Sequence, residues 1–84
     1  MFYVYFLKSE KDGELYVGST SDLRKRLAEH NAGKVHSTKS RTPLELRYYE
    51  AFLSEADARK REAALKKDGN ALAQLKRRVQ ASFE

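Results

Sequence analysis

An aromatic and β-branched run near the start of the chain constrains the fold more than any other feature. Residues 2–7, FYVYFL, have the composition of a central β-strand. The Asp12-Gly13 pair that follows is a strong hairpin-turn signal, and residues 15–18, LYVG, resume the apolar pattern. Two such segments joined by a short polar turn predict an antiparallel β-hairpin, in which alternate side chains lie on opposite faces.

The pattern after the hairpin predicts a helix. Ser21 is a suitable N-cap for a helix that begins at Asp22, whose carboxylate suits the positive end of the helix dipole. Leu23 and Leu27 supply an apolar stripe, and Gly33 is a suitable residue just beyond the helix C-terminus.

The second half of the chain predicts one more strand and two more helices. Residues 34–43 form a basic, Ser/Thr-rich loop, residues 44–53 alternate as a strand, and residues 54–57 form a capping box for a helix that ends at Lys67. A last helix is predicted at about 70–81 from the spacing of its apolar residues. The order β-β-α-β-α-α indicates an α+β domain, with a three-stranded antiparallel sheet flanked by helices.

Composition limits the class of protein. The 84 residues contain no repeat, which favours a single domain over 1–84. The absence of cysteine excludes a disulfide framework and a thiolate zinc site and fits a reducing cytosol, so we expect a cytoplasmic protein. No apolar run is long enough to cross a bilayer, and we expect no membrane partner. The net charge of +5 favours an anionic partner, with nucleic acid first.

Two cationic residues of the first predicted helix lie where packing alone does not require them. Arg26 and His30 are four residues apart, so they share a face that overlaps the Leu23/Leu27 stripe. Arg26 could extend its guanidinium to solvent, and His30 would be favoured near the helix C-terminus. Alternatively, both residues border the apolar stripe because they belong to a functional site.

A carboxylate interrupts the apolar face of the next predicted helix. Ala58, Glu62 and Leu65 fall on one face. Glu62 could pair with Lys66 at the i,i+4 spacing, which would suit a solvent-facing side chain. If it faces the sheet instead, a single carboxylate could hold a divalent cation, with water and substrate phosphates supplying the other ligands.

The tyrosines and the turn after the second strand are equally open to two interpretations. Tyr3, Tyr5 and Tyr16 could be ordinary half-buried sheet residues. Gly18 and the backbone N–H groups before the helix would also suit a phosphate. The Gly-x4-Gly-Lys spacing of a P-loop is missing, so we expect no nucleotide cofactor.

Taken together, these residues resemble the motifs of the GIY-YIG nuclease superfamily, and in particular of its small standalone bacterial members. The first motif is YVY at residues 3–5, with Tyr3 in place of the namesake glycine, and the second is YVG at residues 16–18. The stretches STSDLRKRLAEHN and SEADARKREAALKK are similar to the two helices that follow in the family. The resemblance covers a core of residues 1–67.

The resemblance implies hydrolysis of DNA phosphodiester bonds with one divalent metal, Mg²⁺ or Mn²⁺. Tyr5 and Tyr16 would lie beside the attacking water, and one of them would act as base if nearby cations lower its pKa. Arg26 would stabilise the developing negative charge, His30 would orient groups or relay protons, and Glu62 would hold the metal. Asn70 stands too close to Glu62 to be assigned the family's late asparagine role.

The expected partner is DNA, with branched, flapped or single-stranded forms favoured and a role in DNA repair or processing. Residues at the turn and on basic elements are predicted to contact it, and they are Gly18, Ser19, Arg24, Lys25, Lys34, His36, Lys39 and Arg41. Two alternatives remain open: a nucleic-acid-binding module of the same fold with little turnover, or a subunit that acts with a protein partner through its aromatic sheet and last helix.

Overall fold

The computed structural model describes residues 1–84 and confirms the predicted α+β class. The elements in chain order are β1 (Phe2–Ser9), β2 (Leu15–Thr20), α1 (Leu23–Asn31), a 3-10 turn (Lys39–Arg41), β3 (Leu44–Phe52), α2 (Glu55–Lys67), α3 (Gly69–Arg78) and α4 (Gln80–Phe83). None of the helices is both long enough and apolar enough to span a bilayer.

The sheet has the order β2-β1-β3, and both strand pairs are antiparallel. The predicted hairpin is therefore confirmed, and Gly13 supplies the positive φ of 73° in its turn. Tyr5 of the central strand pairs with Gly18 on one side and with Tyr49 on the other. Because β1 is central, β2 and β3 are the two edges of the sheet.

Helices cover both faces of the sheet, and the strand alternation assigns a separate apolar cluster to each. Val4 and Phe6 pack with residues of α2 and α3 on one face. Tyr5 and Leu7 pack on the other face, where α1 contributes partly buried leucines. The side chains of Tyr5 and Val4 thus lead to opposite layers of the domain, as the pleat of a strand requires.

The cap of α1 differs from the prediction. Asp22, and not Ser21, is the N-cap, because its backbone is extended and its carboxylate accepts a hydrogen bond from the Lys25 N–H at 3.1 Å. A carboxylate in this position satisfies a free N–H group and also complements the helix dipole. Gly33 follows α1 with φ of 74°, as its predicted place beyond the helix end requires.

The predicted last helix, at about 70–81, is divided into α3 and α4. Asp68 ends α2 and caps α3, so the break between these helices is a single residue. Val79 then leaves helical geometry, with φ of −127° and ψ of 38°, and separates α3 from α4. The change of direction allows the Phe83 ring to pack on Phe6, with centroids 5.2 Å apart.

Replacement of Gly18 with alanine is expected to destabilise the fold. An added Cβ would lie 2.5 Å from the Tyr5 hydroxyl oxygen and 2.6 Å from Cζ of the same ring. Because this ring is buried, we expect Gly18→Ala to lower the free energy of unfolding by about 1–3 kcal/mol in urea denaturation. Gly69→Ala is the matched control, since nothing lies within 4 Å of its added Cβ. Equal stability of the two variants would contradict this packing.

Candidate active site at the sheet edge

A buried hydrogen bond between β1 and α1 is the centre of the candidate site. The Tyr5 hydroxyl and His30 Nε2 are 2.9 Å apart, and both residues are almost completely inaccessible to solvent, at 1% and 0% exposure. The rings meet edge to face with centroids 5.8 Å apart. His30 therefore does not sit at the helix end as a solvent-facing cation; it faces the sheet.

Thr38 occupies the second nitrogen of His30. Its hydroxyl lies 2.7 Å from Nδ1, and its side chain is fully buried. Thr38 was not predicted from the sequence, because it lies in a loop that is mostly polar and basic. Nothing in the composition of that loop singles out Thr38, because Thr42 lies in the same segment. A contact between a helix and a separate loop has no sequence periodicity.

Asn31 fixes the same end of α1 to β3. Its side chain donates to the carbonyl oxygen of Leu44 at 2.9 Å and accepts from the Leu44 N–H at 2.7 Å. These two hydrogen bonds hold the helix over the sheet at the turn where His30 projects inward. Asn31 is thus a second residue that the sequence analysis missed, and it supports the site without belonging to it.

The protein environment keeps Tyr5 and His30, the buried pair, uncharged at neutral pH. Burial raises the pKa of Tyr5 to about 12, although the adjacent Arg26 guanidinium acts in the opposite direction. Burial, reinforced by the positive charge of Arg26, lowers the pKa of His30 below 6.5. The protein's own groups therefore leave Tyr5 as a protonated phenol, and they do not produce the lowered pKa that a tyrosine base would need.

Tyr16 lies beside this pair on the edge strand β2. Its ring centroid is 5.1 Å from that of His30 and 6.4 Å from that of Tyr5. The ammonium group of Lys66 on α2 is 5.9 Å from the centre of the Tyr16 ring. Tyr16 is also less buried than Tyr5, so it connects the buried pair with the open edge and with α2.

Glu62 reaches the same edge from the opposite face of the sheet. Its Oε1 accepts a hydrogen bond from the Ser19 hydroxyl at 2.7 Å, and its Oε2 is 2.9 Å from Lys66 Nζ. The Glu62 side chain therefore faces the sheet, with 20% exposure, and also pairs with Lys66. Metal binding by this carboxylate stays a prediction. Burial alone would raise the pKa of Glu62, but hydrogen bonds from Lys66 and Ser19 hold it below its usual value.

The ligand set at Glu62 fits a hydrated hard cation and does not fit zinc. The structure contains no group of three or more His, Cys, Asp or Glu side chains that could hold a metal ion. Mg²⁺ and Mn²⁺ can be held by one carboxylate when water and substrate phosphates fill the other positions, whereas zinc takes several protein ligands. Coordination through Oε2 would require Lys66 to move away from Glu62.

A polar cleft lies beside the β2–α1 turn, and it is lined by Arg26 and by Ser19, the hydrogen-bond partner of Glu62. No apolar side chain lines it; the lining residues are Ser19, Thr20, Ser21, Asp22, Lys25, Arg26 and Glu29. Arg26 is half-buried at its wall, and its guanidinium forms an ion pair with Glu29 at 3.3 Å. The i,i+3 partner explains how a cation is tolerated at the border of the apolar stripe.

The predicted DNA contacts separate into those near the cleft and those away from it. Ser19 and Lys25 line the cleft, and Arg24 is exposed on the same helix. Gly18 is buried and provides space for the Tyr5 ring, so its structural role is clear. Arg41 is engaged at the far end of the hairpin, where its Nε lies 3.3 Å from Asp12 Oδ2. The loop residues Lys34, His36 and Lys39 are exposed.

Asn70 does not reach the candidate site. It lies in the first turn of α3, and its backbone N–H donates to the Asp68 carboxylate at 2.9 Å. Its observed role is local, in the capped beginning of a helix.

This three-stranded sheet, with a tyrosine–histidine pair, an arginine and one carboxylate at its edge, defines a small domain of the GIY-YIG nuclease type. The family model described as the GIY-YIG catalytic domain matches residues 1–77, and the chain belongs to this family. The predicted resemblance is therefore confirmed.

Similar proteins carry the name UPF0213. The chain is 46% identical over 65 residues to a UPF0213 protein of Bacillus pumilus, a match that covers 76% of this chain and 65% of that protein. It is 43% identical to a relative from Halobacterium salinarum, covering 79% of this chain and 86% of the relative. The chain thus spans slightly less than two thirds of the Bacillus pumilus protein.

A solved structure supports the same assignment. The solution NMR structure of the UPF0213 protein BH0048 from Bacillus halodurans superposes with a TM-score of 0.55 and 35% sequence identity. The alignment covers 89% of this chain and 82% of that protein.

Loss of the Thr38 hydroxyl is expected to leave a buried nitrogen of His30 without a partner. Thr38→Val keeps the side-chain volume and should lower the free energy of unfolding by about 1–3 kcal/mol. Thr38→Ser, which keeps the hydroxyl, should cost less. Chemical denaturation measures both values, and ¹⁵N chemical shifts of the imidazole report its tautomer. A valine variant as stable as the serine variant, with an unchanged tautomer, would argue against this hydrogen bond.

Stability is expected to fall as the pH drops below about 6.5. Because the pKa of His30 is lowered in the native protein, the unfolded chain takes up a proton first. The free energy of unfolding should therefore decrease with acidification, by at most about 1.4 kcal/mol per pH unit for one proton. Denaturation between pH 7 and pH 5 tests this: His30→Gln should flatten the dependence, and His36→Gln, at the exposed histidine, should retain it. A retained slope in His30→Gln would disprove the assignment.

Proposed function

We propose that this protein is a divalent-metal-dependent nuclease that hydrolyses phosphodiester bonds of DNA. The observation that carries the proposal is the convergence of groups from both faces of the sheet on one edge. Arg26 and His30 come from α1 on one face, and Glu62 comes from α2 on the other. Arg26 lines the polar cleft, Glu62 is hydrogen-bonded to Ser19 of the same cleft, and His30 is buried against Tyr5. Together they would provide a cation, a carboxylate for a metal ion and a proton-carrying group.

Arg26 is placed to bind the phosphate. Its guanidinium stands at the wall of the cleft, where an approaching phosphate competes with Glu29 for it. A preorganised cation in this position would stabilise the negative charge that develops on the phosphate oxygens, and such electrostatic stabilisation is usually the largest single contribution to catalysis. Lys25 lines the same cleft and adds positive charge without sequence selectivity.

Glu62 would hold the metal ion, which would supply Lewis-acid activation of a water or phosphate oxygen. Ser19 keeps one carboxylate oxygen in place through its 2.7 Å hydrogen bond. Lys66 holds the other oxygen and is free to neutralise phosphate charge once it is displaced. The half-buried carboxylate is ionised because of these two partners, which is the state that a metal requires.

The two tyrosines have different roles in this proposal. Tyr16 lies on the edge strand, is less buried than Tyr5, and would contact the attacking water. Tyr5 is buried and acts through His30, which it positions by hydrogen bonding. His30 is neutral, so it can accept or donate a proton through its ring nitrogens without first losing a charge.

The proposed substrates are branched, flapped or single-stranded DNA, and the proposed setting is DNA repair or processing in the cytoplasm, alone or with a protein partner. The cleft carries no element that would read base edges in a groove, whereas its cationic groups suit backbone phosphates.

Cleavage assays with Mg²⁺ or Mn²⁺ on labelled branched and single-stranded DNA test the proposal. Arg26→Ala and Glu62→Gln are each expected to reduce the cleavage rate by about 10²–10³-fold, as expected for loss of a group that acts on transition-state charge. Arg77→Ala is the matched control, because Arg77 is exposed on α3 and outside the cleft. EDTA should abolish cleavage by the wild type.

Equal residual cleavage by wild type and Arg26→Ala would show that the activity is a contaminant. Salt-sensitive DNA binding that survives Glu62→Gln, with no metal-dependent cleavage by the wild type, would instead identify a binding module of the same fold.

A further inference from the structure

A second depression adjoins the polar cleft, and its two tyrosines have no part in the proposed chemistry. It lies between the start of α1 and the sheet, and its lining consists of Tyr3, Ser21, Asp22, Leu23, Arg24 and Tyr49. Ser21 and Asp22 line the polar cleft as well, so the two depressions meet at the β2–α1 turn. We call this second depression the aromatic groove.

Two tyrosine rings characterise the aromatic groove. Tyr49 pairs with Tyr5 across β1 and β3, which places it on the same face of the sheet as the candidate site. The rings of Tyr3 and Tyr49 meet edge to face, with centroids 5.8 Å apart and an interplanar angle of 68°. Tyr49 is nevertheless 51% exposed, so a large part of its surface faces solvent.

Packing does not account for these two rings. Neither Tyr3 nor Tyr49 belongs to either of the apolar clusters that cover the faces of the sheet. Tyr48 shows the contrast, because its ring packs against Phe6 and its hydroxyl donates to Glu50 at 2.8 Å. An exposed aromatic surface that the core does not use suits a ligand with a flat apolar face.

The charges around the groove indicate the chemical class of ligand that it would bind. Arg24 is exposed at its wall and has no carboxylate within ion-pair distance, unlike Arg26 on the same helix. The Asp22 carboxylate is committed to the N-cap, where it accepts from the Lys25 N–H. A free cation next to exposed aromatic rings is the combination that binds single-stranded nucleic acid, since the rings stack on bases and the cation contacts phosphate.

We propose that the aromatic groove binds an unpaired base of single-stranded DNA, stacked on Tyr49, with Arg24 on a neighbouring phosphate. The inference rests on the proposed nuclease function and assigns its substrate class. The strands β2 and β3 are about 10 Å apart, so this base belongs to a nucleotide near the scissile phosphate in the polar cleft. Bases inside a duplex cannot reach the ring, because both of their faces are already stacked. The DNA is therefore single-stranded beside the cut.

A fluorescence experiment detects the stacking directly. The chain contains no tryptophan, so Tyr49→Trp introduces a single tryptophan, whose fluorescence can be excited apart from that of the remaining tyrosines. With EDTA present to prevent cleavage, we expect a short oligo(dT) to quench this fluorescence. An abasic oligomer with the same number of phosphates should bind without quenching. Leu53→Trp is the matched control, because Leu53 is 87% exposed and lies outside the groove.

Affinities measured by fluorescence anisotropy separate base stacking from phosphate contact. Tyr49→Ser and Tyr49→Ile should each weaken the Kd for oligo(dT) about fivefold or more, without changing the Kd for a blunt duplex of equal length. The isoleucine variant preserves β propensity, so agreement between the two variants assigns the loss to the ring. Arg24→Ala should weaken binding to both DNA forms and reduce the salt dependence.

Several outcomes would overturn the base site. In the fluorescence experiment, they are no quenching of Tyr49→Trp when oligo(dT) saturates the protein, or equal quenching by the abasic oligomer. In the affinity measurements, they are no binding of oligo(dT) at low salt, or an equal loss of affinity for duplex DNA in the Tyr49 variants. Cleavage assays report on the proposed function separately. Stacking without cleavage would refute the nuclease while retaining the base site, and cleavage without stacking would refute the base site alone.

Discussion

The hydrogen bond between the Tyr5 hydroxyl and His30 Nε2 is the interaction on which the candidate site depends. At 2.9 Å in the interior, it joins the central strand to α1 and fixes the face of that helix that meets the sheet. Gly18 makes room for the phenol, and Thr38 satisfies the other imidazole nitrogen. Because both rings are neutral and their polar atoms are paired, the centre can be buried without the free-energy cost of an isolated charge.

The position of β2 at the edge of the sheet explains how helices on opposite faces share one site. In the interior of a sheet, the backbone layer would separate Arg26 on α1 from Glu62 on α2. At an edge strand, the two side chains can approach the same cleft around the strand. Their resting partners, Glu29 and Lys66, form ion pairs that are partly exposed. Such pairs contribute little net stability, about 0–1 kcal/mol, so a phosphate or a metal can displace them at small cost.

Most of the fold could be predicted because it depends on local patterns. Aromatic and β-branched runs predicted β1 and β2, alternation predicted β3, and the Asp12-Gly13 turn predicted the hairpin pairing. Helix ends were less accurate, since Asp22 takes the N-cap from Ser21 and Val79 interrupts the last helix. The exact helix ends depend on which of two neighbouring residues caps the helix and on packing against the sheet. Neither can be predicted from the spacing of apolar residues along the chain.

The sequence by itself determined the strand and helix order, the family, and the residue types of the candidate centre, because motifs and periodicities are properties of neighbouring residues. Only the tertiary structure decided which of those residues meet. In the folded chain, Gly18 packs against the Tyr5 ring and Thr38 hydrogen-bonds to His30. Arg41 pairs with Asp12 instead of being available for a DNA phosphate. Each of these contacts joins residues from separate elements, so it depends on how the helices and loops pack on the sheet and leaves no periodic signal in the chain.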